Sequence, residues 1–188
     1  MHAEAAEADG GPSGGGVNDG QAAEPAQKTL ETVPLAEHHR RADFTCIRSA
    51  RVQDFVRSDP HKLLQFRYAR AFVLPSVEDP TAIWGYYTLS AAVAIRNGTG
   101  STHQKKLPGG IPLPMALIGY MGRDDGAPKG LGATLITDAA RRVSRIEDIG
   151  IWGLTLTAET PGLVPWYEKM GFKLMRTDKD ASIPERTM

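Results

Sequence analysis

The chain has 188 residues, enough for one domain with a filled core, and carries 22 basic against 22 acidic side chains. Its single cysteine, Cys46, excludes an internal disulfide and a cysteine-rich zinc site, and no apolar run is long enough to span a bilayer. The N-terminus lacks the basic start and apolar stretch of a secretory signal, so a soluble cytoplasmic protein is expected.

The net balance hides an asymmetry. Residues 1–34 hold six acidic side chains and one basic one, Lys28, which leaves 21 basic against 16 acidic from Leu35 onward. A modestly basic body suits a polyanionic ligand, a nucleotide-bearing cofactor or a nucleic acid. Residues 1–30 are mostly Ala, Gly, Glu, Gln and Pro. Such a stretch buries too little apolar surface to offset its ordering entropy, so 1–34 is expected to be a disordered acidic tail and 35–188 a single domain.

Val52, Phe55 and Val56 lie at helical spacing, and Asp59-Pro60 stops that helix. A second short helix is expected over His61–Tyr68. Ala71–Leu74 reads as a strand, 75–80 as a turn, and Ile83–Ser90, rich in aromatic and β-branched residues, as the partner strand of an antiparallel pair. Gly98 to Pro114 is mostly loop. Met115–Met121 is nearly all apolar, as in a strand covered on both faces. Asp124–Pro128 turns the chain. From Leu131, the positions Leu135, Ala139, Val143 and Ile146 share a helical face, with Arg141, Arg142 and Arg145 toward the C-terminal end of the dipole. Trp152–Ala158 alternates as a strand. Pro165 opens a short helix, Trp166–Met170, which Gly171 closes, and Phe172–Met175 is expected to be a brief last strand.

A strand that runs into a Gly-rich turn at the start of a helix is an anion site on physical grounds. The first amides of the helix lack partners, and the dipole adds partial positive charge. Gly130 and Gly132 stand at that turn, where missing side chains allow close approach by a phosphate. The order of elements then adds specificity. Ala127-Pro128-Lys129-Gly130-Leu131-Gly132 resembles the Arg/Gln-x-x-Gly-x-Gly/Ala turn of GNAT-type N-acetyltransferases, and Trp166-Tyr167-Glu168-Lys169-Met170-Gly171-Phe172 is similar to their FYxxxGF ending.

The resemblance implies an α/β (α+β) GNAT fold: a mixed, mostly antiparallel twisted sheet, helices on both faces, and splayed strands that hold the coenzyme. It implies acetyl-CoA as co-substrate and no metal. Lys129, Gly130, Leu131, Gly132, Ala133 and Thr134 would hold the pyrophosphate. The pantetheine arm would lie between the Met115–Gly122 and Trp152–Ala158 strands, paired with backbone at Met121, Gly122 and Arg123. Tyr167 would be the acid that protonates the departing thiolate. Two positions depart from the pattern: Ala127 lacks the usual charged or amide side chain, and Pro128 has no amide to donate. Lys129 supplies a point charge in partial compensation.

Phe44-Thr45-Cys46, Arg70-Ala71-Phe72-Val73, Tyr86-Tyr87 and Ile111-Pro112-Leu113-Pro114 extend the resemblance over residues 38–175. They resemble the toxin-type GNATs, which pair with ribbon-helix-helix antitoxins and acetylate the amino acid of charged tRNA. The strand end Tyr120-Met121-Gly122-Arg123-Asp124 departs from their Arg-Leu-Ala-Val-Asp. Lys62, Arg67, Arg70, Lys105 and Lys106 are the candidate contacts to such an acceptor, since phosphate contact dominates its affinity. A homodimer is expected from the resemblance. His61, His103, Glu159, Glu168 and a water relay all remain open as the base. Two other classes fit the same residues: a GNAT acting on a small amine or protein lysine without toxicity, and a non-catalytic acyl-CoA-binding or structural module.

Overall fold

A computed structural model describes residues 30–58, 64–94 and 112–174. A five-stranded sheet runs in the order β1 (Val33–Pro34), β2 (Arg70–Pro75), β3 (Ile83–Ala94), β4 (Leu113–Arg123), β5 (Gly153–Leu156). The first four strands are antiparallel neighbours, and β5 lies parallel to β4. A parallel pair needs a crossover, and α2 (Leu131–Ser144) supplies it. α1 (Ala50–Ser58) precedes β2, and α3 (Val164–Lys169) follows a 3-10 turn at Pro161–Leu163.

Strand alternation sends neighbouring residues to opposite faces, and two cores result. On one face Val73, Ile83 and Tyr86 pack with Phe44, Cys46, Val52 and Val56 around α1. On the other, Leu74, Tyr87 and Ile118 pack with Ala127, Leu131, Leu135 and Ala139 of α2 and its approach. The consecutive pair Tyr86-Tyr87 therefore fixes both helices. The Tyr86 hydroxyl donates to the Val52 carbonyl of α1, and the Tyr87 hydroxyl to Asp138 of α2.

The expected hairpin forms with its strands longer: β3 reaches Ala94, and β4 takes Leu113 and Pro114 from the expected loop. Residues 98–111 of that loop lie outside the described residues. Of the helix expected over His61–Tyr68, 64–65 are helical and 66–68 turn, while 61–63 are outside the description.

Three expectations need correction. The domain begins earlier than Leu35, because Val33-Pro34 pairs with Phe72-Val73 and buried Thr32 donates to Asp138. That edge was invisible in a Pro-containing segment following a polar tail. α2 ends at Ser144, and Ile146 lies beyond it, exposed. Arg141 and Arg142 do stand in the last turn of α2, and Arg142 also pairs with Asp138 at 2.9 Å and donates to the Thr32 carbonyl. Finally, 172–174 form no strand: the Phe172 amide turns back to the Tyr167 carbonyl, and Leu174 is exposed.

Candidate active site

The site begins where β4 and β5 part. Their pairing runs from Met115↔Gly153 to Ile118↔Leu156 and stops, while β4 continues to Arg123. A bulge sits at the same level. The register against β3 shifts between Tyr87 and Leu89, and the Tyr120 amide donates to Thr88 Oγ1 at 3.0 Å instead of to a carbonyl. A bulge bends its strand and raises its twist, which carries β4 away from β5. Gly119 permits it, for a Cβ there would stand 3.2 Å from Thr88 Oγ1.

Past the bulge the direction of each backbone group is fixed. The amides of Tyr120 and Asp124 point to β3, the latter to the Trp84 carbonyl at 2.8 Å. Alternation then turns Met121 and Arg123 into the gap and Gly122 onto β3. Of the three residues expected to offer backbone to a pantetheine arm, Met121 and Arg123 face the gap. Gly122 has a packing role instead: a Cβ there would meet Val52 Cγ1 at 2.4 Å.

The loop after β4 is tightly tied. The Arg123 guanidinium donates to the carbonyls of Asp124 (2.7 Å) and Ala127. Asp124 accepts from the amides of Thr45 (2.6 Å) and Gly126 (2.8 Å), and Asp125 from Ile47 (2.7 Å). Ala127, 6% exposed, belongs to the core beside Leu131 and Leu135. A long charged side chain at this position would be driven into that core, so the departure from the motif is a packing choice. Lys129 is exposed.

Gly130 caps α2 with φ 92°, a left-handed conformation that favours glycine, and no side chain caps the helix. The Ala133 amide bonds back to the Gly130 carbonyl at 3.2 Å. The α2 start is therefore an uncapped positive helix end beside the gap, with Leu131 buried and Thr134 half-buried behind it. Gly132 has a second reason to be glycine, for a Cβ would lie 3.2 Å from the Trp166 indole. The missing side chain admits α3 against α2.

That contact sets the neighbouring Tyr167. Its ring stands edge-on to Trp166 (centroids 4.9 Å apart) and to Phe172 (5.9 Å). α3 ends in a full Schellman motif: Gly171 at φ 91°, its amide on the Glu168 carbonyl, the Phe172 amide on the Tyr167 carbonyl, and the Tyr167–Phe172 apolar contact. The Gly-Phe of the sequence pattern is thus the clamp that fixes the tyrosine. Burial, and then the negative charge of Glu159, push the Tyr167 phenol above its ordinary pKa. It stays a neutral donor at physiological pH.

The candidate bases separate. His61 and His103 lie outside the described residues, and Glu168 is exposed on α3. Glu159, also exposed, accepts a hydrogen bond from Ser49 at the start of α1 (2.5 Å). Among the candidate acceptor contacts, Lys62, Lys105 and Lys106 are outside the description. Arg67 is exposed at φ 57°, and Arg70 is exposed at the start of β2. Arg70 shares a sheet row with Leu89, Ile118 and Leu156, the row at which the gap opens, two strand spacings or about 10 Å from β4. Ser49, Thr88 and the Arg123 guanidinium were not singled out from the sequence. Each acts through a side-chain bond that no local motif announces.

No protein-family model matches the sequence, and no curated protein matches it. Solved structures do resemble it. AtaT complexed with acetyl-methionyl-tRNAfMet aligns at TM-score 0.71 and 23% identity, over 78% of this chain and 88% of that one. A tyrosine-to-phenylalanine mutant of KacT aligns at TM-score 0.70 and 23% identity, over 79% and 89%. A tyrosine-to-phenylalanine mutant of the AtaT toxin, bound to the C-terminus of the antitoxin AtaR and to acetyl-CoA, aligns at TM-score 0.58 and 21% identity, over 75% and 82%. The chain has the fold of these proteins.

Proposed function

We propose that the chain is an N-acetyltransferase that moves an acetyl group from acetyl-CoA to a primary amine, the amino group of a charged tRNA. One observation carries the reading: a neutral tyrosine, clamped by a Schellman motif, is packed through Trp166 against an uncapped helix start beside a split in the sheet. The site suits a long coenzyme with an anionic end. The α2 start takes phosphate without a competing side chain, and the Met121 and Arg123 backbone offers extended pairing to an amide-bearing arm.

Acetyl-CoA supplies an activated thioester, and the residues of the chain supply position and a proton. The gap orients the arm, so attack by the amine becomes effectively intramolecular. Tyr167, kept protonated by burial, donates to the sulfur as the C–S bond breaks, and the proton lost by the attacking nitrogen passes to water, from which the phenol is restored. The likeness to AtaT complexed with acetyl-methionyl-tRNAfMet supports charged tRNA as acceptor, and the basic body of the chain agrees with it. The likeness to AtaT bound to the C-terminus of the antitoxin AtaR supports an antitoxin as partner, of the ribbon-helix-helix kind that the sequence resemblance implies. We place the enzyme in the cytoplasm, where charged tRNA is found, as a homodimer.

Transfer from labelled acetyl-CoA to a panel of charged tRNAs, lysine peptides and polyamines tests the reading. Label on an aminoacyl-tRNA supports it. Label only on peptides or polyamines moves the acceptor to the second class. Absence of acetyl-CoA binding in calorimetry would leave a structural module.

A further inference from the structure

The two faces of the gap have different tasks. A coenzyme with its phosphates at the α2 start enters from the α2 face, which leaves the α1 face for the acceptor. On that side an acidic side chain is bonded to the start of α1. Glu159 follows the end of β5, on the route to Tyr167, yet its Oε1 is bonded to Ser49 Oγ at 2.5 Å. Ser49 is the N-cap of α1, its hydroxyl also accepting the Val52 amide at 3.2 Å, and it is 7% exposed. The bond therefore reaches from the β5 end to the helix on the opposite face. Glu159 itself is exposed, and its Oε2 has no hydrogen bond among the described residues.

Resting on the acetyltransferase reading, we propose that Glu159 is the acceptor-binding carboxylate, with Oε1 locked by Ser49 and Oε2 taking a hydrogen bond from the incoming amine nitrogen. The arrangement follows from charge and order. An amine arrives largely as a cation, and a fixed carboxylate attracts it more than a mobile one, because the cost of ordering is already met. Glu159 precedes and Tyr167 follows the 3-10 turn at Pro161–Leu163, and the Glu159 charge is one of the two causes that raise that phenol. The nitrogen bound at Oε2 is thus held near the group that serves the leaving sulfur. Ser49 acts through Glu159 and is a positioning residue. The acceptor class is a primary amine with an open approach to the α1 face.

The rival role for Glu159 is structural, as a counter-charge at the α1 dipole. Glu159→Gln separates the two, since its amide oxygen still accepts from Ser49 while the charge is gone. In the full chain, steady-state transfer from labelled acetyl-CoA to the amine used by the wild type should show kcat/KM for the acceptor lowered roughly tenfold to a hundredfold in Glu159→Gln. The KM for acetyl-CoA and the thermal midpoint should stay at wild-type values, and Glu159→Asp should recover part of the loss. Ser49→Ala should raise the acceptor KM more than it lowers kcat. An active wild type with Glu159→Gln within about twofold of it overturns this inference and leaves the acetyltransferase reading standing. A wild type that acetylates no amine overturns both.

Discussion

Tyr167 is held by three contacts that a sequence pattern compresses into a few letters: Trp166 before it, Phe172 after it, and Gly171 turning the chain between. Its aromatic spacing and the following glycine made it legible from the sequence alone. Tyr167→Phe keeps the ring contacts and removes only the proton. Turnover should fall by about a hundredfold or more, with acetyl-CoA affinity unchanged by calorimetry. The phenol is raised, so the donor form persists past its ordinary pKa of about 10. The rate profile should therefore show no loss from Tyr167 ionisation up to about pH 10, and a decline near pH 8 would remove the assignment. Ser49 and Thr88 could not be read in the same way. Their partners, Glu159 and the Tyr120 amide, are distant in sequence, and hydroxyl side chains of this kind are common on any surface.

Elements were legible wherever one face is buried. α2 shows its period because Leu131, Leu135 and Ala139 meet the sheet, and Val73 and Tyr86 alternate cleanly with Leu74 and Tyr87. The β4 bulge was not legible, since Gly119-Tyr120 reads as ordinary strand until Thr88 is placed opposite. The last strand failed for the reverse reason. Phe172 is apolar because it packs on Tyr167, not because it lies in a sheet. Two glycines test this level. Gly171→Ala forces a Cβ into a left-handed position and should cost about 1–2 kcal/mol in urea unfolding. Gly132→Ala places a methyl 3.2 Å from the Trp166 indole. It should displace α3 slightly and lower kcat more than it lowers stability, as paired kinetic and melting measurements would show.

At the scale of the whole molecule, the N-terminal segment straps the sheet to α2. Asp138 accepts from Thr32, Tyr87 and Arg142, while Arg142 also lies over the Phe72 ring at 4.2 Å. Burial works against this carboxylate, but the three hydrogen bonds outweigh it and hold its pKa below the ordinary value. The resulting stability is present above the unfolded pKa of about 3.9 and is lost as pH falls through the folded one. A chain starting at Leu35 loses β1 and the Thr32 contacts, and Thr32→Val alone should cost about 1–2 kcal/mol. Chemical denaturation at neutral pH and at pH 3 would check both the size and the sign.

From Leu35 onward the chain carries 21 basic against 16 acidic side chains, which suits a polyanionic acceptor. Binding to charged tRNA should weaken steeply as salt rises, and a flat response would argue for a small amine. The most direct measurement is transfer of label from acetyl-CoA to purified charged tRNAs by the wild type and by Tyr167→Phe. The wild type should yield an acetylated aminoacyl-tRNA and the variant almost none. Equal transfer by both proteins would remove Tyr167 as the acid, and no transfer by the wild type to any amine offered would overturn the acetyltransferase reading.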